Sequence, residues 1–224
     1  LKSARGALAA VCDVDAAVLS AVGDRYGVPA ERRFLDYRRL IAAPEVQAVD
    51  ICLPNHLHGQ AVLEAVRAGK PFAVEKPLAL DAAEAAAMAQ AADRAGVPGM
   101  VCFSCRFYPA ARYARALIDR GELGEVRSVL LRYLKSSGLR PGRRLEWRFV
   151  KRLAGSGAWG DLGSHMIDLT RFLLGEVEAL FAQTTIVVPE RRGETSEALA
   201  PVDTDDVCDG VARLAGGASA ATRC

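Results

Sequence analysis

Gly69-Lys-Pro-Phe-Ala-Val-Glu-Lys-Pro77 is the stretch whose reading decides the fold. Gly69 stops a helix, Phe72–Val74 is a short apolar run that reads as a buried strand, and Glu75 and Lys76 stand at its carboxyl end. Pro77 restricts the backbone of Lys76. The same grammar repeats on both sides. Ala7–Cys12 is an apolar run closed by Asp13, followed by a helix over Asp15–Tyr26 with Gly27 beyond its end. Val46–Leu53 is a second strand ending at Pro54-Asn55, and a helix from Leu57 to Ala68 leads into Gly69. Downstream, Asp81 and Glu84 have capping-box spacing for an alanine-rich helix reaching Ala95. Val97–Ser104 makes a further strand, and Pro109 suits the first turn of a helix ending near Arg120-Gly121.

Short strands regularly separated by helices predict an α/β fold with a parallel sheet covered on both faces. Such sheets bind ligands at the carboxyl ends of their strands, where Asp13, Asn55 and Lys76 all fall. From about Glu125 the pattern changes. Val126–Leu134, Val177–Val188, Asp205–Leu214 and Ser219–Cys224 read as strands, with Gly216-Gly217 as a hairpin turn. A helix runs from Asp161 to Leu174, and Pro189–Pro201 reads as a mobile polar loop. The expectation is two domains: a Rossmann-type parallel domain over 1–105 and an α+β domain with an open, largely antiparallel sheet over 106–224.

Charge and cysteine usage narrow the function classes. Charged residues make up 25% of the chain and nearly balance at net +2, which gives no reason to expect nucleic acid or an anionic membrane as partner. No apolar run reaches the roughly eighteen residues of a membrane span. The six cysteines are scattered, as reduced and buried thiols of a cytoplasmic protein would be. Cys102-Phe-Ser-Cys105 has no second pair, so core cysteines are the better reading. The chain begins at Leu1, part-way through an element, so the region that would carry a signal peptide is not in view.

Asp161-Leu-Gly-Ser-His165 spaces a carboxylate and an imidazole four residues apart, on one face at the start of a helix. With Lys76 they are the parts needed to move a proton off an alcohol. A partly buried lysine near a positive ring would have a lowered pKa, suiting it to proton relay or to holding a hydroxyl. Gly155-Ser-Gly-Ala-Trp-Gly160 matches G-x-G-x-x-G literally, but no strand precedes it, so it reads as a tight turn and not a phosphate loop. Asp13 has two readings, a grip on ribose hydroxyls or a helix-capping acid. His56 and His58 could share a metal as in a hydrolase, but the only other histidine is His165 and a helix starts at once. No metal is expected.

These strings resemble the glucose-fructose oxidoreductase / inositol dehydrogenase (Gfo/Idh/MocA) family. The resemblance rests on Ala10-Val-Cys-Asp13, Leu53-Pro-Asn-His-Leu-His58, Ala68–Pro77, Phe103-Ser-Cys-Arg-Phe-Tyr-Pro109, Trp147-Arg148 and Ala154–Asp168. It covers essentially the whole chain, and the combination of E-K-P with D-x-G-x-H is specific. It implies a Rossmann domain followed by a domain whose open sheet packs under the substrate. Lys76 would lie between nicotinamide and substrate, His165 would be the general acid/base, and Asp161 would sit beside it. The cofactor would be held by Asp13, Pro54, Asn55, His58, Glu75 and Lys76. Arg106, Trp147 and Arg148 would join Lys76, Asp161 and His165 around the substrate. An acid at Asp13 favours NAD over NADP. The Lys76-Pro77 bond would be cis, as in relatives.

Measured against that family, the sequence departs at both ends. The first strand with its glycine loop and the last strands, commonly the subunit interface, lie outside the 224 residues. This fragment alone is expected to bind NAD poorly, while the full-length protein would be a homo-oligomer. The expected activity is hydride transfer between nicotinamide and a secondary hydroxyl of a sugar, polyol or inositol. Tyr133-Leu134-Lys135 and Trp147-Arg148-Phe149 resemble members that oxidise anhydro-sugars or inositols. The rival readings are a metal-dependent hydrolase using His56 and His58, and a non-catalytic protein that binds a nucleotide or sugar.

Overall fold

The computed structural model describes residues 6–224. Contacts divide the chain into two compact units. The first takes residues up to Leu53 with Leu57–Val74 and Ala82–Met100; the second takes Pro54–His56, Glu75–Asp81 and Val101–Cys224.

The first unit is built of short parallel strands and helices. β1 (Val11–Cys12) leads into α1 (Ala16–Tyr26) and pairs in parallel with β2 (Arg33–Phe34), which α2 (Tyr37–Ala42) follows. Asp15 caps α1 by accepting from the amides of Ala17 (2.8 Å) and Val18 (3.1 Å). Gly27 closes the helix at φ 68°, the left-handed conformation that glycine adopts without a Cβ clash. β3 (Val49–Ile51), α3 (His58–Arg67) and β4 (Phe72–Val74) form a right-spaced strand–helix–strand run whose strands pair in parallel. α4 (Ala82–Ala95) then leads to β5 (Gly99–Val101), which neighbours β4.

Apolar positions at helical spacing explain the packing. α3 buries Ala61, Val62, Ala65 and Val66, and α4 buries Met88 and Ala92. The strands are shorter than the apolar runs suggested: Val46–Leu53 keeps only Val49–Ile51 as strand. β2 and α2 were not anticipated, because a two-residue strand and a helix of six residues have too little periodicity to read.

The second unit carries a four-stranded sheet ordered β6-β11-β10-β7. α5 (Pro109–Asp119) precedes β6 (Ser128–Arg132), and α6 (Lys151–Ala154) precedes a π-helical turn at Trp159–Gly163. That turn runs straight into α7 (Ser164–Leu174). β7 (Val177–Thr185) follows, then the small hairpin of β8 (Glu190–Arg192) and β9 (Leu199–Pro201), then β10 (Val207–Leu214) and β11 (Ser219–Arg223). β10 is antiparallel to both neighbours, whereas β6 and β11 pair in parallel, so the sheet is mixed.

β10 alternates, with Cys208, Gly210 and Leu214 buried. Leu162 of the π-helical turn packs against Cys208 and Cys224 on that inner face, joined by Tyr133, Ala158 and Trp159. None of the six cysteines forms a disulfide. Burial pushes the Cys208 thiol up to about 11 and the Cys224 thiol up to about 12, so both stay neutral core groups.

The polar stretch Pro189–Pro201 is a correction to the sequence reading, for it contains the β8–β9 hairpin instead of an unstructured loop. Arg191 is the reason. Its guanidinium is buried, lies 4.0 Å from the Phe149 ring centroid, donates to the Gly138 carbonyl at 2.6 Å, and faces Asp206 at 3.6 Å. A buried arginine with these partners ties the segment down.

Met88 is only 2% exposed. Met88→Ala is expected to destabilise the protein by about 2–5 kcal/mol, and Met88→Leu by under about 1.5 kcal/mol, in denaturant unfolding.

Candidate active site

Lys76 leaves the end of β4 on a backbone fixed from both sides. Its amide donates to Glu75 Oε2 at 3.1 Å, and its peptide bond to Pro77 is cis. The side chain is mostly buried, so its ammonium needs acceptors. It finds two on one residue: Nζ donates to the Asp161 carbonyl at 2.8 Å and forms an ion pair with Asp161 Oδ1. Lys76 and Asp161 belong to the same compact unit, since Glu75–Asp81 groups with the second one.

Asp161 sits mid-way through the π-helical turn, and its amide donates to the Gly157 carbonyl at 2.9 Å. Such turns are single-turn irregularities often found at functional sites. Burial pushes the Asp161 carboxyl up, but the Lys76 hydrogen bond and the charges of Lys76, Lys135 and Arg148 together hold it below the usual range. It is therefore a carboxylate at neutral pH.

His165, one turn further on, is 7% exposed and has its ring set by packing. Phe103 meets it edge-on at 5.9 Å between centroids, and Tyr133 lies tilted at 6.0 Å. Burial, then the nearby Lys76 charge, lowers its pKa, against the opposing pull of Asp161, Asp168 and Glu75. The imidazole is consequently neutral near pH 7 and able to accept a proton. Its Nδ1 is buried without a partner, as are Ser164 Oγ and His56 Nδ1.

The remaining sequence candidates divide by location. Asn55 is buried and donates from Nδ2 to the Ala154 carbonyl at 2.8 Å, next to Gly155. Pro54 precedes it in the same unit. Arg148 stacks over the Trp147 ring at 4.4 Å, and its charge reaches Asp161. Arg106 does something the sequence did not suggest. Its guanidinium holds Asp168 with both arms, Nε to Oδ2 at 2.9 Å and Nη2 to Oδ1, and lies 5.5 Å from the Phe172 ring. Asp168 itself is buried, three residues beyond His165.

Asp13 and His58 lie in the first unit. Asp13 follows β1 directly, and its Oδ1 accepts from the Asp15 amide at 2.8 Å, while Asp15 performs the capping. His58 is fully buried, with Nε2 2.8 Å from the Leu53 carbonyl. Among the described residues no group of three or more His, Cys, Asp or Glu is placed to hold a metal. No helix among them is long and apolar enough to cross a membrane.

Gly155–Gly160 is a tight turn whose last two residues, Trp159 and Gly160, already belong to the π-helical segment. Gly155 has φ 82°, and a Cβ there would sit 2.9 Å from the Leu80 carbonyl oxygen. Sequence reasoning missed Phe103 and Asp168 as neighbours of His165; the signal for Asp168 was an acid on the helical face of the histidine. Removing the partner of a buried carboxylate leaves its charge uncompensated. Arg106→Met is expected to lower unfolding stability by at least about 2 kcal/mol, read from denaturant titration.

Comparison with known proteins gives consistent matches. The GFO/IDH/MocA C-terminal domain matches residues 111–224, and the oxidoreductase family with an NAD-binding Rossmann fold matches residues 2–103. Levoglucosan dehydrogenase of Pseudarthrobacter phenanthrenivorans is 36% identical over 219 residues, covering 90% of this chain and 56% of that protein. Inositol 2-dehydrogenase of Rhizobium meliloti is 32% identical over 184 residues, covering 82% of this chain and 52% of that protein. A solved structure of levoglucosan dehydrogenase in complex with NADH and levoglucosan matches with a TM-score of 0.90 at 34% identity, covering 97% of this chain and 57% of that one. The chain spans just over half the length of these relatives.

Proposed function

The chain belongs to the GFO/IDH/MocA family of NAD-binding oxidoreductases, and on that premise we propose that the protein oxidises a secondary hydroxyl of a sugar, polyol or inositol with NAD. The observation that carries this reading is the convergence of Lys76, Asp161 and a neutral His165 in one unit.

Asp13 fits one part of the cofactor, the ribose hydroxyls. A carboxylate at the end of β1 matches the ribose hydroxyls, and an Oδ1 bonded to the Asp15 amide orients it. Pro54, Asn55 and Glu75 would add cofactor contacts of their own, whereas His58, fully buried with Nε2 on the Leu53 carbonyl, is corrected to a structural residue; an acid at Asp13 favours NAD over NADP. Bound NAD supplies a hydride acceptor at nicotinamide C4.

The chain's own residues then handle the oxygen. The Lys76 ammonium, held by Asp161, donates a hydrogen bond to the substrate hydroxyl and stabilises the negative charge that develops on it. The hydroxyl proton passes to His165, whose imidazole is neutral and hemmed by Phe103 and Tyr133. Asp161 keeps the Lys76 ammonium aimed, and Arg106 steadies the helix through Asp168. Trp147 and Arg148 would bound the substrate; a ring stacked under a guanidinium offers a flat apolar face to a sugar. Buried polar atoms without partners, His165 Nδ1 and Ser164 Oγ, favour a site that a ligand completes. A second copy of the chain would cover the outer sheet face, where Leu130, Ala221, Val211 and Phe181 line up across four strands in register.

Lys76→Ala is expected to reduce NADH production from sugars or inositols at least roughly hundredfold while the protein stays folded. Unchanged turnover would remove the mechanism. The pH profile gives a second check. Since His165 titrates below the ordinary 6.5 and must be neutral to accept the proton, kcat/KM for oxidation should hold through pH 6.5 and fall only below it. An acidic limb centred above 6.5 would contradict His165 as the base.

A further inference from the structure

We infer that Asp205 is a positioning residue for the dehydrogenation, holding the helix start that carries Asp161 and His165 in register with Lys76. The inference rests on the functional reading above and adds a residue to it.

The helical run whose first bond is Asp161 N to the Gly157 carbonyl must leave the amides of Gly157, Ala158 and Trp159 without helical acceptors. One residue takes all three in succession. Asp205 Oδ1 accepts from Gly157 N at 2.8 Å, its main-chain oxygen from Ala158 N at 2.8 Å, and its Oδ2 from Trp159 N at 2.7 Å. Both carboxylate oxygens are thus engaged by charge-assisted bonds at a helix N-terminus, where a negative charge is also favoured by the helix dipole. The fit leaves no slack. A Cβ on Gly157 would stand 1.8 Å from the Asp205 carbonyl oxygen, which is why the position is glycine.

What this clamp fixes is the placement of two reacting groups. Asp161 N donates to the Gly157 carbonyl, so the residue held by Asp205 in turn holds the residue that grips Lys76. On the far side, a Cβ on Gly163 would meet the Trp159 ring at 2.4 Å, so the ring closes the turn just before His165. The neighbours of Asp205 work on the adjoining segment. Asp203 accepts from Lys151 N at 2.5 Å, Thr204 donates to the Arg148 carbonyl at 3.3 Å, and Asp206 accepts from Val187 N and Val188 N at 2.8 and 2.9 Å. Asp203–Asp206 therefore anchors, from one strand entrance, both the Arg148 segment and the catalytic turn. An ordinary cap would add stability alone; this one is linked to the Lys76 ammonium by three consecutive hydrogen bonds, through Gly157 and Asp161.

The test is Asp205→Asn in the full protein. Asparagine keeps the shape but can accept only through one oxygen, so one of the two amides loses its partner. A shift of the turn by a fraction of an ångström to an ångström is enough to cost roughly tenfold to hundredfold in kcat. The expected result is that loss in kcat, with the sugar KM and the NADH dissociation constant both within about twofold of wild type. A folded Asp205→Asn protein whose kcat stays within about twofold, whatever its stability, overturns the proposal. Hydrogen exchange on the wild-type protein decides the matter if the variant does not fold. The amides of Gly157 and Trp159 should exchange only with the global opening that also exposes β10, and faster local exchange would overturn the clamp. If wild type turns over no sugar or inositol, the functional reading fails, while the exchange experiment still judges the clamp by itself.

Discussion

Everything at the site depends on one contact, the Lys76 ammonium against Asp161. A mostly buried ammonium is costly unless acceptors surround it, and Asp161 supplies both a carboxylate and a main-chain carbonyl. The consequences spread outward from there. Asp161 is held ionised chiefly by that partner, working against its own burial. His165 is kept neutral by burial and by the same lysine charge. A positive donor and a neutral acceptor are therefore held in one unit, close enough for the lysine charge to act on the imidazole, which is the pairing the proposed oxidation requires.

The placement of these side chains was legible in the sequence because they lie at the boundaries of elements. Asp13, Asn55 and Lys76 follow apolar runs, and the end of a strand can be read from where hydrophobicity stops. Asp161 and His165 share a helical face, which spacing alone reveals. The rest was hidden for physical reasons. Arg106 looked like a ligand-facing cation, yet its planar fork is matched by Asp168, a pairing across separate elements that no local pattern announces. The Pro189–Pro201 stretch looked polar and loose because the feature that orders it is a single buried guanidinium with a distant aspartate. The clamp at Asp205 was invisible for the same reason: its acceptors lie nearly fifty positions from the amides they bind.

The second unit shows how a small number of polar anchors can define a site on an otherwise ordinary mixed sheet. Leu162, Cys208 and Cys224 provide an apolar floor with neutral thiols. Asp205 and Asp168 then fix the two ends of the segment that crosses it, one from the strand entrance and one through Arg106. Apolar packing sets the height of the turn above the sheet, whereas directional hydrogen bonds set its rotation and axial position.

A double-mutant cycle on Lys76 and Asp161, read in kcat/KM for sugar or inositol oxidation, tests this dependence most directly. If the pair acts as a unit, Lys76→Met with Asp161→Asn should be scarcely worse than the worse single variant, giving strong coupling. Losses that simply multiply would mean that the two residues act independently, and the ion pair would not be the feature on which the site depends.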